Sequence, residues 1–363
     1  MTIPVTPTMS LNRVCIVDLP GIDVPDNVKG KTAFQLVSAT ALTRLVRQHI
    51  RALHLDANLS DHALRLAYDA TLASDTPSVR SAAHEIAQTM GRSLGDVLLA
   101  LRRGDDVNRR ARSEWDFTYW DHWAQINRVW LGGGLVSGNL GQCIPRCAGQ
   151  VMREGGMEEY IIRVSLHAAY LPLIGAARHI PPGANSIVVL DFGSTMIKRA
   201  CVALKDSQIV ELHRLPSQAA TWTPTGALGE TTPEQARTLI ECMVSVIVET
   251  WRDALKMGLT PAETVPVSIA AYVKNGNPMT AQGGAYVHTN LVTGNLEDEL
   301  GRRVSAWLDT PVSIVLLHDG RAAAATCAGE QRTAVITLGT ALGIGFPGDG
   351  VGLRPICGEL TVS

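Results

Sequence analysis

Residues 187–204 read IVVLDFGSTMIKRACVAL: an apolar run, a short polar turn and a second apolar run. The first run lacks the alternation of a half-exposed strand, as expected for a strand covered on both faces. Asp191 stands where that strand ends. Gly193 lets the backbone turn tightly and approach a ligand, while Ser194 and Thr195 supply hydroxyls and N–H groups. The pattern predicts a phosphate-gripping hairpin whose carboxylate is placed to hold Mg²⁺ through water. An ordinary hairpin with a polar turn is the structural alternative.

A second turn strengthens the first. Residues 334–346, AVITLGTALGIGF, form an apolar strand followed by Gly339-Thr340 and then Gly343 and Gly345. Small residues there let a backbone close on phosphate from the other side. Between the two turns, residues 311–325 read PVSIVLLHDGRAAAA, a buried strand ending at His318-Asp319 and running into an Ala-rich helix. This sets a carboxylate at a strand's carboxy-terminal end. The structural alternative for Asp319 is a helix N-cap acid.

The chain has 363 residues, enough for two domains, and 46% hydrophobic residues, ample for a core. A net charge of −2 gives no electrostatic reason to expect nucleic acid. No 18-residue apolar run is present, and the start, MTIPVTPTMSLNR, lacks the apolar centre of a secretion signal. The seven cysteines are scattered without CxxC pairs. Cys143 and Cys147 can share a helix face but have no nearby partners, so no structural zinc is expected. These features predict a soluble cytoplasmic protein with reduced thiols and no membrane partner.

In chain order, a short strand is expected over residues 13–19 and a helical region over about 32–123. Within it, LRRGDDVNRRARSEW reads as a solvated loop or helix face, and Trp115, Phe117, Tyr119, Trp120 and Trp123 read as core anchors rather than a stacking platform. A strand over 128–131 runs into Gly132, Gly133 and Gly134, whose backbone N–H groups can lie against a flat or anionic ligand. A strand near 160–164 and a linker at 181–185 follow. Past the first hairpin come a third strand (QIVELHRLP), a helix capped at Thr232 and ending at Gly258, a strand (VPVSIAAYV), a loop (NGNPMTAQGG), a short strand (YVHTNL) and an amphipathic helix (NLEDELGRRVSAWL). There is no repeat at solenoid periods.

These residues resemble the sugar kinase/actin/Hsp70 ATPase superfamily, most closely the ROK-type sugar kinases. Asp191 to Lys198 is similar to the first phosphate motif, DxGGTxxR. HDGRAAAA (318–325) resembles the base motif NDANAAA, and LGTALGIG (338–345) the second phosphate motif, LGTGxGxG. Residues 358–362 resemble GELGH, and HTNL (288–291) the sugar-contacting PNL segment. The remaining family pieces stand at the front: SATAL (38–42) resembles the SGTAL helix, WLGGGLVSGNL (130–140) the adenosine motif, and LPLIGAAR (171–178) the closing GLIGAA. The order is that of a circularly permuted ROK-type kinase; a helical domain fused to a truncated kinase half is the rival.

The resemblance implies an α/β fold with two RNase H-like (actin-like ATPase) domains and an interdomain nucleotide cleft. Residues 1–180 with 330–363 would form the larger, nucleotide-binding domain, with residues 330–363 pairing with strands from 10–20 and 126–165, and residues 181–329 the smaller one. It implies ATP and Mg²⁺ as cofactors and phosphoryl transfer to a hydroxyl of a small molecule, expected by kinship to be a sugar or sugar-like molecule. Asp319 would be the general base and Asp191 the water-mediated Mg²⁺ site. Backbone at Gly193, Ser194, Thr195, Gly339, Thr340 and Gly343 would cradle phosphates, and Gly132–Gly134 the adenosine. Lys198 would neutralise charge, or stand as a solvated strand residue. Asn290, His318 and Glu359 would meet the substrate, each reading equally as structural. The motifs depart at His318 (family Asn), Val362 (family His), Ser194 (family Gly) and in the absent CxCGxxGCxE, whose last Glu would fall near Phe34. These departures leave the acceptor open, and with it a second reading: a catalytically inactive nucleotide-binding regulator or scaffold. A homodimer is compatible with either.

Overall fold

The computed structural model describes residue 6 and residues 9–220, 231–280 and 284–363. Most of the initial MTIPVTPT and residues 281–283 of the expected loop lie outside them. The chain divides into two compact units. An amino-terminal unit contains Thr8–Tyr170 with Gln331–Ile344; a carboxy-terminal unit contains Leu171–Glu330 with Gly345–Ser363.

The amino-terminal unit opens with two two-residue antiparallel strands, β1 (Cys15–Ile16) and β2 (Lys31–Thr32). The strand expected over 13–19 is cut short because residues Leu11–Arg13 turn as a 3₁₀ helix. Thr32 and Gln35 form a reciprocal capping box that starts α1 (Ala33–Val37). Ser38 ends α1 and caps α2 (Ala39–Gln48), its Oγ accepting from the Ala41 N–H. Then come α3 (Asp61–Thr71), α4 (Pro77–Arg103), α5 (Asp106–Arg110) and α6 (Phe117–Gln125). Gly104 closes α4 in the left-handed conformation. Trp115, Trp120 and Trp123 are buried, with Trp115 edge-on to Trp120 at 5.1 Å. Phe117 instead faces solvent. The charged run is not wholly solvated: Arg112 is 1% exposed, lying 4.2 Å over the Trp115 ring and 3.5 Å from Glu114. A delocalised guanidinium is weakly hydrated and stacks on indole, which makes its burial tolerable. The unit continues with β3 (Arg128–Gly132), α7 (Leu140–Glu154) and β4 (Ile161–Val164).

The carboxy-terminal unit begins with α8 (Leu171–Ala177), every residue of which is buried. A meander follows: β5 (Ser186–Phe192), β6 (Met196–Lys205) and β7 (Gln208–Ala219), successively antiparallel. After α9 (Pro233–Lys256) comes β8 (Thr264–Ile269), parallel to β5, and the small strands β9 (Val273–Lys274) and β10 (Asn277–Pro278). Then α10 (Leu296–Leu308) leads to β11 (Ser313–His318), parallel to β8, and directly to α11 (Asp319–Ala325). The segment read as a strand at YVHTNL is a 3₁₀ helix, Ala285–Leu291. Local bonds hold it so: the Thr289 hydroxyl donates to the Tyr286 carbonyl, and Tyr286 itself is buried.

The chain then supplies β12 (Thr333–Leu338) and β13 (Leu342–Gly345), completing the four-stranded sheet of the amino-terminal unit in the order β13-β12-β3-β4. Its last strand, β14 (Ile356–Val362), runs parallel to β7 and closes the six-stranded sheet β11-β8-β5-β6-β7-β14. Residues 171–180 and 345–363 thus lie in the same unit as 181–329, and β14 pairs with β7 rather than with strands from 10–20 or 126–165. Backbone bonds between Ser363 and Leu212 and Arg214 fix that pairing.

β5 is buried along its whole length because both faces of the sheet are covered. Val188, Leu190 and Phe192 join Met243, Ile247 and Trp251 of α9 and Leu300 of α10 in one core. On the other face Leu317 packs with Ala176 of α8 and Ala322 of α11. Among the described residues no helix is long and apolar enough to cross a membrane.

Candidate functional site

The carboxy-terminal ends of the parallel strands β5, β8 and β11 hold the polar residues of interest. Strand register places Lys198 opposite Asp191 on one side and Ser268 opposite it on the other, with Leu317 beyond Ser268. Directly paired residues share a sheet face, so Asp191, Lys198 and Ser268 sit on the face covered by α8 and α11. Asp191 is 5% exposed. Its Oδ1 accepts a hydrogen bond from the Ser268 hydroxyl at 2.9 Å, and the Lys198 ammonium lies 3.6 Å from Oδ2. Burial pushes its pKa up, and the nearby Asp319 charge adds to this, against the pull of Lys198 and Ser268.

The turn after Asp191 is held from two sides. The Gly193 N–H donates to the carbonyls of Asp191 and Met196, and the Tyr286 hydroxyl donates to the Gly193 carbonyl at 2.9 Å. Ser194 and Thr195 at the tip are exposed. Lys198 is half-buried in β6 and faces both carboxylates, so it is not a solvated strand residue.

Asp319 is the first residue of α11, and His318 caps that helix through its ring: Nδ1 accepts from the Arg321 N–H at 3.3 Å. The Asp319 carboxylate takes the Gly320 N–H at 2.6 Å and lies 3.0 Å from His318 Nε2, all on Oδ1. Burial raises its pKa to about 6, although the Gly320 N–H and Lys198 oppose the rise. Tyr272 stacks on the His318 ring at 4.2 Å and 15°. Burial and the charge of Arg321 push the His318 pKa down to about 3, so the imidazole is neutral. The N-cap role of the Asp-bearing turn thus falls to His318, and Asp319 is left for other work.

The remaining expected substrate residues do not join this group. Asn290 is half-buried and gives its amide N–H to the Pro278 carbonyl at 2.7 Å, pinning β10. Glu359 is exposed on the edge strand β14.

In the amino-terminal unit, β3 and β12 are adjacent and parallel, with Gly132 opposite Thr337. The triple glycine and the Gly339-Thr340 turn therefore leave the sheet side by side. Gly133 has φ +93°, and a Cβ there would come within 2.3 Å of the Leu338 carbonyl oxygen. Its N–H is spent on the Ala168 carbonyl. Gly134 has open space around it, and Thr340 is exposed. The Gly339 carbonyl accepts from the Ala39 N–H, joining the turn to the start of α2. Gly343 is half-buried within β13.

The start of α7 is not an open anion site. Asp69 of α3 puts one oxygen on the Asn139 N–H at 3.0 Å and the other on the Leu140 N–H at 2.8 Å. A carboxylate here satisfies orphan donors and complements the helix dipole. Asp69→Ala is expected to lower stability by about 1–2 kcal/mol, seen as a lower midpoint in thermal melts.

Of these features, four were not read from the sequence. Ser268 carried a signal, being the polar residue at an inward position of an apolar strand. Tyr272, Tyr286 and Asp69 carried none, because their partners are distant in sequence.

Magnesium fits the carboxy-terminal group. It binds through one or two carboxylates, waters and phosphate oxygens, and the Asp191 carboxylate is the one that would hold it. Among the described residues no group of three or more His, Cys, Asp or Glu side chains is arranged to hold a metal ion.

The fold is mixed α/β with a largely parallel edge to each main sheet. No protein-family model matches the chain, and no curated protein matches it. Among solved structures it is similar to the ROK hexokinase from Thermus thermophilus, at 16% identity and a TM-score of 0.26. That likeness covers 46% of this chain and 46% of the hexokinase, so the chain spans under half of that protein's length. It is also similar to the human cytomegalovirus terminase nuclease domain, at 11% identity and a TM-score of 0.19, over 49% of this chain and 67% of that one.

Proposed function

We propose that this protein is an ATP-dependent kinase of the ROK type, in permuted order, that phosphorylates a hydroxyl of a small polyhydroxylated substrate, a sugar or sugar-like molecule. The observation that carries this reading is the Asp319 carboxylate, desolvated at the end of β11, in the electrostatic range of both Lys198 and Asp191. Ligands of open α/β sheets bind outside the carboxy-terminal ends of their parallel strands. Here β5, β8 and β11 run parallel, and Asp191, Ser268 and Asp319 stand at or just beyond their carboxy-terminal ends.

Phosphoryl transfer needs positioning and charge neutralisation more than covalent chemistry. Asp319, with its pKa near neutrality, accepts the proton of the substrate hydroxyl. Asp191 would hold Mg²⁺, and Lys198 offsets the charge of the two carboxylates and the phosphates. The exposed Ser194 and Thr195 present donors to phosphate. Mg²⁺, when bound, neutralises charge on the phosphate oxygens. The β5-β6-β7 meander continued by β8 and β11 supports an RNase H-like domain. The β3-β12 pairing, which brings the triple glycine beside Gly339-Thr340, supports permutation over a fused helical domain, with Gly132–Gly134 on adenosine and Gly339, Thr340 and Gly343 on phosphate. The partner is a small molecule in the cytoplasm, not nucleic acid or membrane, and a homodimer is compatible with this reading.

The test is ADP release from Mg·ATP across a panel of sugars and polyols, with Asp319→Asn alongside. Turnover stimulated by one acceptor and lost in the variant supports the kinase and gives its substrate class. The exposure of Glu359 and the structural bond of Asn290 favour a second reading, a nucleotide-binding regulator without turnover. ATP binding with no acceptor-dependent turnover would decide for it.

A further inference from the structure

We propose that His318 is a positioning residue that fixes the Asp319 carboxylate through an Nε2–H hydrogen bond to Oδ1, leaving Oδ2 as the oxygen that receives the proton. This rests on the reading of Asp319 as the base. The argument starts at the helix cap. Nδ1 of His318 accepts from the Arg321 N–H, so it carries a lone pair and no proton. A neutral imidazole has a single N–H, which is therefore on Nε2, 3.0 Å from Asp319 Oδ1. Protonating Nδ1 would set two N–H groups against each other and break the cap, so the cap itself selects the tautomer.

Two further contacts and burial make the arrangement rigid. Tyr272 stacks on the ring and fixes its plane. The ring is 7% exposed. The Gly320 N–H reaches the same Oδ1. Among the described residues two donors meet Oδ1 and none meets Oδ2, which defines the edge of the carboxylate that faces substrate. The cap through Nδ1 and the bond from Nε2 both belong to His318, the residue that precedes the base, so ring orientation, tautomer and carboxylate rotamer are set together.

The first arm of the test reads the bond without turnover. In ¹⁵N-histidine-labelled protein, His318 is expected to show a protonated Nε2 and an unprotonated Nδ1 from pH 5 to 8, with an Nε2 proton protected from solvent exchange. That protection is expected to vanish in Asp319→Ala. A protonated Nδ1, or protection unchanged in Asp319→Ala, would overturn the proposal even if the kinase assay succeeds. The second arm uses whichever acceptor the panel identifies. His318→Ser keeps a capping hydroxyl but loses the donor, and its kcat is expected to fall roughly 10–100-fold with KM for ATP unchanged. His318→Asn can cap and donate at once and is expected to stay within about threefold of the parent protein. Equal kcat for His318→Ser and the parent protein would overturn the positioning role. Absence of any acceptor would count against the kinase reading alone, and the labelling arm would then decide the bond.

Discussion

Asp319→Asn is expected to lower kcat for phosphoryl transfer by about 10²–10⁴-fold while making the folded protein more stable. The two effects have one cause. Burial holds the Asp319 carboxyl at a pKa of about 6, against an ordinary value of 3.8. Between those values the folded state binds more protons than the unfolded state, so stability falls as pH rises. The contribution is most favourable below about 3.8 and is lost once pH passes about 6. At pH 7 the ionised carboxylate is a net cost to folding. Asparagine carries no charge and removes that cost, worth about 1–2 kcal/mol once the 26% exposure of the side chain is allowed for. The same titration shapes activity. The base works only when deprotonated, so kcat should fall about tenfold per pH unit below about pH 6. Parallel melts and pH–rate profiles check both halves. A variant that loses activity and also loses stability would mean that Asp319 serves mainly to hold α11.

Gly175→Ala is expected to destabilise the carboxy-terminal unit by about 3 kcal/mol or more, a fall of roughly 6–12 °C in Tm. A Cβ built on Gly175 would stand 1.7 Å from the Ala322 carbonyl oxygen. The clash is backbone against Cβ, so no rotamer change relieves it. The helix α8 is fully buried, and Arg178 just beyond it donates to the Ala325 carbonyl at the far end of α11. Separation of α8 from α11 would therefore also move Asp319, and kcat should fall with stability. Gly294→Ala, at a glycine with open space around it, is the control, expected within about 0.5 kcal/mol of the parent protein. Equal melts for the two variants would refute the packing argument.

The sheet of the carboxy-terminal unit was largely legible because its elements are locally encoded. The uninterrupted apolar run before Asp191 marks a strand covered on both faces, and Thr232-Pro233 with Gln235 marks the start of α9. The acid at the end of β11 was legible from an apolar strand that stops at His318. What failed to show depends on register and on distant partners. The pairing of β14 with β7 is decided by which edge is free, and residues 356–362 carry no trace of that. YVHTNL has strand composition, yet Tyr286 must turn inward to reach Gly193, and tertiary packing overrides propensity. The capping of α11 by His318 could not be read either, since the choice between His318 and Asp319 lies in the backbone angle at the turn.

The pairing of β3 with β12 also has a consequence for the order in which the protein is made. Arg128 meets Thr333 across that ladder, and these two strands are the inner pair of their sheet. During synthesis at about 5–20 residues per second, β12 follows β3 by roughly 10–40 seconds. Through that interval β3 has only β4 beside it, and its other edge offers unpaired backbone to any neighbouring chain. The amino-terminal unit therefore cannot finish folding while it is the only part of the chain outside the ribosome. Chains truncated before residue 333 are expected to aggregate, and the full chain to depend on chaperones that guard the open edge until its partner strand arrives.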